Sequence, residues 1–204
     1  MNKRVLIAGV LGAVAMFLWT FIAHMLLPLG EAGVKQIDNE QPLLSAMQST
    51  LSARGIYLFP KMAPGSDETQ YGKQIASGPS GMLIYFPKRD FSFGQALGIE
   101  FSTELLQALV ATSLLSLTRL GTFGGRLGFY AILGLIAAVA TNGSYANWYG
   151  FPLAYTSAYM LTNWMGYFCA GLVAAAMKIG APVNASPAPQ PTPSRPAPAP
   201  AESR

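Results

Sequence analysis

The stretch Phe93–Arg119 constrains the fold of this chain more than any other. It reads FGQALGIEFSTELLQALVATSLLSLTR, long and apolar enough for a membrane helix, yet it carries Glu100 and Glu104 one helical turn apart. A charged side chain at the centre of such a helix costs roughly 2.5–3.5 kcal/mol on insertion scales. The two carboxyls cannot both be placed outside the bilayer. A span starting after Glu104 leaves only Leu105–Leu120, short of the ~20 residues a crossing requires. Polar groups on other segments must therefore compensate them.

Those segments are easy to find. Hydrophobic residues make up 51% of the chain and charged residues 11%, against roughly 25% charged in soluble domains. They are grouped in blocks, the pattern of a bilayer protein. Val5–Leu27 holds no ionisable residue except His24. Ala13-Val14-Ala15 resembles a signal-peptide cleavage site, but the apolar run continues past it through Phe17, Trp19 and Phe21. A signal peptide's apolar region is roughly 7–15 residues long, so a retained helix is expected. With Leu127–Tyr145 and Tyr155–Met177, the predicted spans are 4–28, 95–119, 126–146 and 154–178. The fold class is mostly α: an integral membrane four-helix bundle. Small residues four apart (Ala8 and Gly12, Gly9 and Ala13, Gly134 and Ala138, Gly166 and Ala170, Gly171 and Ala175) mark the packing faces. Short connections make spans two, three and four antiparallel neighbours.

Residues 29–94 differ in kind. Lys35, Arg54, Lys61, Lys73, Lys88 and Arg89 offset Glu31, Asp38, Glu40, Asp67, Glu68 and Asp90, as in a water-exposed cap. A helix over Pro42–Ala53 and a strand at Ile56–Phe59 are followed by a second helix over Ser66–Ala76, capped by Ser66, and a strand at Met82–Phe86. Phe59-Pro60-Lys61 matches Phe86-Pro87-Lys88, which predicts a helix–strand unit used twice, with the strands paired. A two-stranded sheet is marginal alone, so this α+β cap is expected to rest on the helices. Residues 181–204 are rich in Pro and Ala and form an expected disordered tail. The domains are thus 1–28, the first span; 29–94, the cap; 95–180, three spans; and 181–204, the tail.

Lys3, Arg4, Arg119, Arg126 and Lys178 fall on one side of these spans, while the aromatic turn around Trp148 has no basic residue. The positive-inside rule puts both termini in the cytoplasm and the cap outside a bacterial inner membrane. Trp19, Trp148 and Trp164 read as interface and packing residues. A net charge of +4 without a dense basic run argues against nucleic acid. Cys169 and His24 are single, which excludes an intrachain disulfide, bis-histidine haem ligation, HExxH zinc sites and Glu-x-x-His di-iron motifs. No cofactor and no metal are expected.

Chemistry can reside only in the polar residues at membrane depth. Counted from the outer surface, His24, Glu100 and Asn142 lie at similar levels and Glu104 one turn deeper. Gln107 shares the face of the acidic pair. A cluster of His24, Glu104 and Asn142, with Glu100 at its rim, lowers the desolvation cost of each member. Such a cluster suits a proton or cation site, or an acid–base pair. The plainer reading has Glu100 reaching the interface, with Glu104 and His24 making structural hydrogen bonds. The expected partners are the lipid bilayer and other membrane proteins, and the expected role is a non-enzymatic accessory or assembly subunit. A small proton- or cation-linked transporter is the first alternative, although the halves are too unlike for an inverted repeat. A lipid-modifying membrane enzyme is the second.

Overall fold

A computed structural model describes residues 2–180; the tail expected over 181–204 lies outside the described residues. The structure is mostly helical, with one small sheet. Helix α1 runs over Lys3–Phe21, with Asn2 capping it by accepting from the Arg4 N–H. It continues into a π-helical turn, Ile22–Leu26, and a 3₁₀ turn at Leu29–Glu31. The cap follows as α2 (Gln41–Thr50), β1 (Gly55–Phe59), α3 (Glu68–Ser77) and β2 (Gly81–Tyr85). Three long helices complete the described chain: α4 (Phe93–Ser116), α5 (Phe123–Tyr149) and α6 (Leu153–Ala176).

The long helices pack in the order α4–α1–α6–α5. This corrects the expectation that α4 lies along α5, while the expected pairing of α5 with α6 is present. Helix α4 pairs with α1, and it reaches α5 chiefly where the Thr112 and Tyr130 hydroxyls meet at 2.7 Å. Close approach of backbones decides the partners. A Cβ on Gly9 would lie 2.7 Å from Leu109 Cδ2, and Gly12 sits against Ala108 and Ala170. On the other side of α6, a Cβ on Gly134 would lie 2.7 Å from Tyr167 Cβ. The interior is accordingly lined with small residues, among them Ala8, Ala13, Ala108, Ala111, Ala170 and Ala174. Large apolar side chains point outward from all four helices, as Val10, Leu106, Ile132 and Leu161 illustrate.

Two helical segments, Lys3–Leu26 and Phe123–Tyr149, are long and apolar enough to cross a membrane. Helices α4 and α6, expected as spans, fall short of that standard. The reason lies in Glu100, Glu104 and Gln107 on α4, and in Thr156, Thr162 and Asn163 on α6, which lower their mean hydropathy.

Two indoles tie neighbouring helices together. Trp19 Nε1 donates to the Thr162 carbonyl at 2.9 Å, and Trp164 Nε1 to the Ala131 carbonyl at 3.0 Å. Two arginines hold the C-terminal end of α6. Arg4 donates to the Met177 carbonyl, and the buried Arg126 donates to that of Ile179. Carbonyls at a helix end have no partner within the helix, so cationic donors are favoured there.

In the cap, β1 and β2 pair antiparallel with Ile56 opposite Ile84 and Leu58 opposite Met82. Helix α3 is capped by Asp67, whose side chain accepts from the Gln70 N–H at 2.7 Å, and not by Ser66, whose hydroxyl turns back to Ala63. The packing of the 29–94 region on the long helices that stands out is that of the link preceding the cap; contrary to expectation, no cap helix or strand packs extensively on them. The 3₁₀ turn packs on α6 and the π-helical turn. A Cβ on Gly33, whose φ is +74°, would lie 2.8 Å from the Tyr155 nitrogen. Glycine alone fits both that backbone and that gap.

Candidate functional site

Helix α4 presents Glu104, Ala108, Ala111, Thr112 and Leu115 to the interior, a stripe at the three- and four-residue spacing of one helical face. Glu104 therefore points inward with its apolar neighbours and is only 4% exposed. It opens onto a cavity of about 410 Å³ bounded by α1 with its π-helical turn, by α4 and by α6. His24, Glu100 and Gln107 line the same space, as do Thr20, Thr162, Asn163 and Tyr159. Met16, Phe17, Phe21, Met25 and Leu97 supply apolar wall. Glu100 is exposed, one turn outward from Glu104.

One hydrogen-bond chain organises the α1 side. The Thr20 hydroxyl donates to Glu104 Oε1 at 2.6 Å, and the Thr20 carbonyl lies 2.9 Å from His24 Nδ1. A carbonyl only accepts, so Nδ1 carries a proton. The π-helical turn places His24 here. Its i→i+5 bonding, seen in the bond from the Leu27 N–H to the Ile22 carbonyl, rotates the side chains relative to a regular α-helix. The imidazole and the Tyr159 ring meet nearly at right angles with centroids 5.9 Å apart, and Tyr159 stacks on Tyr155 at 4.3 Å.

Asn142 stands elsewhere, which corrects the expected cluster. It lies with Tyr130, Gly134 and Ala138 on the buried face of α5, and its amide donates to the Ala138 carbonyl at 3.0 Å. It does not line the cavity. Depth along the helix fixes a residue's level but not its angle about the axis, and α6 stands between Asn142 and His24. Asn163 of α6 lines the cavity in its place. Thr20 was missed by the sequence reading. Its position four residues before His24, on the same helical face, is the signal that marks it.

Glu104 Oε2 is buried and has no hydrogen-bond partner. Leaving such an oxygen unsatisfied costs about 1–3 kcal/mol, more if the group is charged. Glu104 lines the cavity, and a donor from a molecule bound beside it would satisfy that oxygen. Among the described residues, no group of three or more His, Cys, Asp or Glu side chains is placed to hold a metal ion.

A second surface is notable in the cap. Ile56, Leu58 and Ile84 project from one face of the sheet and are 67%, 56% and 59% exposed. The opposite face carries Tyr57 and the buried Tyr85, their rings 6.3 Å apart. Arg54 and Arg89 both lie over the Phe86 ring, at 5.5 and 5.1 Å, where β1 begins and β2 ends. Comparison with family models, curated proteins and solved structures finds no match to this chain.

Proposed function

We propose that this chain is a four-span protein of a bacterial inner membrane, a non-enzymatic accessory or assembly subunit of a membrane complex. The arrangement of the helices supports the location. Small and polar residues face inward while Val10, Leu106, Ile132 and Leu161 face outward on α1, α4, α5 and α6, the reverse of a soluble bundle and the arrangement lipid favours. On this reading the polar residues of α4 and α6 are sheltered by packing against α1, so helices of modest hydropathy still cross. Both termini lie in the cytoplasm and residues 29–94 outside.

The role rests on one observation, the uncovered sheet. An apolar patch on a water-exposed segment marks an interaction surface, and a two-stranded sheet gains stability when a third element covers it. Arg54 and Arg89 flank the patch, with Lys61 and Lys88 close by in sequence. The complementary occupant is an extramembrane segment of a partner protein carrying apolar and acidic residues. A photo-crosslinking residue at Ile84, in native membranes, tests this. The expected product is one discrete protein adduct that is lost in the Arg54→Glu/Arg89→Glu variant and absent from a probe at Ile132. Adducts to phospholipid alone would mean the sheet lies on the membrane surface, and the subunit reading would fall.

A further inference from the structure

We propose that the cavity between α1, α4 and α6 is a binding site for a protonated primary amine carried on an apolar body. The inference goes beyond the subunit role and involves none of the residues of the sheet.

The chemistry of the lining selects this class. Glu104 is nine-tenths buried, its Oε1 is occupied by Thr20, and its Oε2 has no partner. That oxygen calls for an N–H or O–H donor. The charged residues lining the cavity are Glu100 and Glu104, with no lysine or arginine beside them. A cationic head is therefore favoured over an anionic one and is drawn first to the exposed Glu100. Gln107 and Asn163 line the same space and add amide acceptors, and Tyr159 lines it too, an aromatic ring of the kind that attracts ammonium. A primary ammonium brings three N–H donors, enough for Oε2 and two amides at once. A quaternary ammonium brings none. A bare metal ion is a poor match, because among the described residues no group of three His, Cys, Asp or Glu side chains is placed to hold one. The remaining walls, including Phe17, Met25 and Leu97, are apolar and require a hydrocarbon body. A volume of about 410 Å³ falls within the roughly 300–1,000 Å³ range of small-molecule sites.

Two sources carry this head group: a free amphiphilic amine, and the ethanolamine head of a membrane phospholipid. The test uses the full-length protein in phosphatidylcholine nanodiscs at neutral pH, with empty nanodiscs as background. Octylamine, octanol and octyltrimethylammonium are compared by equilibrium dialysis. Octylamine is expected to bind saturably and at least about tenfold more tightly than either comparator. Glu104→Gln should weaken octylamine binding by at least about tenfold, while Asn142→Ala, outside the cavity, leaves it unchanged. No saturable binding above empty discs overturns the proposal, and so does octanol or octyltrimethylammonium binding as tightly as octylamine. The ligand series on the unmodified protein decides the matter even if Glu104→Gln does not fold. Replacing part of the phosphatidylcholine with phosphatidylethanolamine then separates the sources. Competition with octylamine assigns the site to the lipid head, and its absence assigns it to a free amine; both uphold the amine class.

Discussion

At Gly171, a Cβ would stand 2.6 Å from Tyr130 Cβ and 3.2 Å from a Leu127 methyl carbon. Tyr130 cannot withdraw, because it is fully buried and its hydroxyl is bonded to Thr112. Gly171→Ala is therefore expected to destabilise the α5–α6 pair by about 1–3 kcal/mol, the usual cost of overpacking. Reversible unfolding in mixed micelles would measure this, and an unchanged midpoint would show that the seam has room to spare. Tyr130→Phe should cost less. Thr112 keeps its bond to the Ala108 carbonyl at 2.6 Å, and a single polar contact between membrane helices averages about 0.6 kcal/mol. Thr20→Val removes the donor to Glu104 Oε1 and leaves both oxygens of a buried carboxyl without a partner. The expected loss is about 1–3 kcal/mol by the same assay, and a smaller loss would mean that water reaches Glu104.

Between helices, geometry offers a direct check of the packing order. A Cβ on Gly12 would lie 3.8 Å from Ala108 Cβ, matching the mean separation across a disulfide, about 3.8 Å. With Cys169→Ser to remove the native thiol, the Gly12→Cys/Ala108→Cys variant should crosslink on mild oxidation, seen as a shift in non-reducing electrophoresis. Failure to link would refute α1 as the partner of α4. The sequence carried the lengths and ends of these helices well. Apolar runs punctuated by Gly, Pro and basic residues delimit them, and the repeat of Phe-Pro-Lys anticipated two helix–strand units whose strands are β1 and β2. Partner choice was legible for α5 and α6 but not for α4. The short turn between Ser116 and Phe123 suggested that α4 lies along α5, but the glycines of α1 admit α4 and α6 more closely. The site was legible in part for the same reason. Glu104, Glu100, Gln107 and His24 could be placed by depth, while Asn142 could not, since depth says nothing about which side of α6 a residue occupies. The π-helical turn that directs His24 has no periodic signature in the sequence.

For the whole molecule, the proposed threading makes an expectation about sidedness. A reporter inserted at Gly65, an exposed cap turn with no atom near its Cα hydrogens, should be exported, and one at Gly121 should stay in the cytoplasm. The opposite pattern would invert the topology and put the amine cavity in the inner half of the bilayer. One further consequence follows from the position of α1 between α4 and α6. It is synthesised before either helix, and in the proposed membrane setting both of its packing faces stay open to lipid until they arrive. Helix α4 can settle on it while α5 and α6 are still being made, whereas the cavity has no third wall until α6 emerges last of the four. On the proposed membrane reading, assembly would proceed outward from α1, and Glu104 of α4 would spend that interval beside a cavity still lacking its α6 wall.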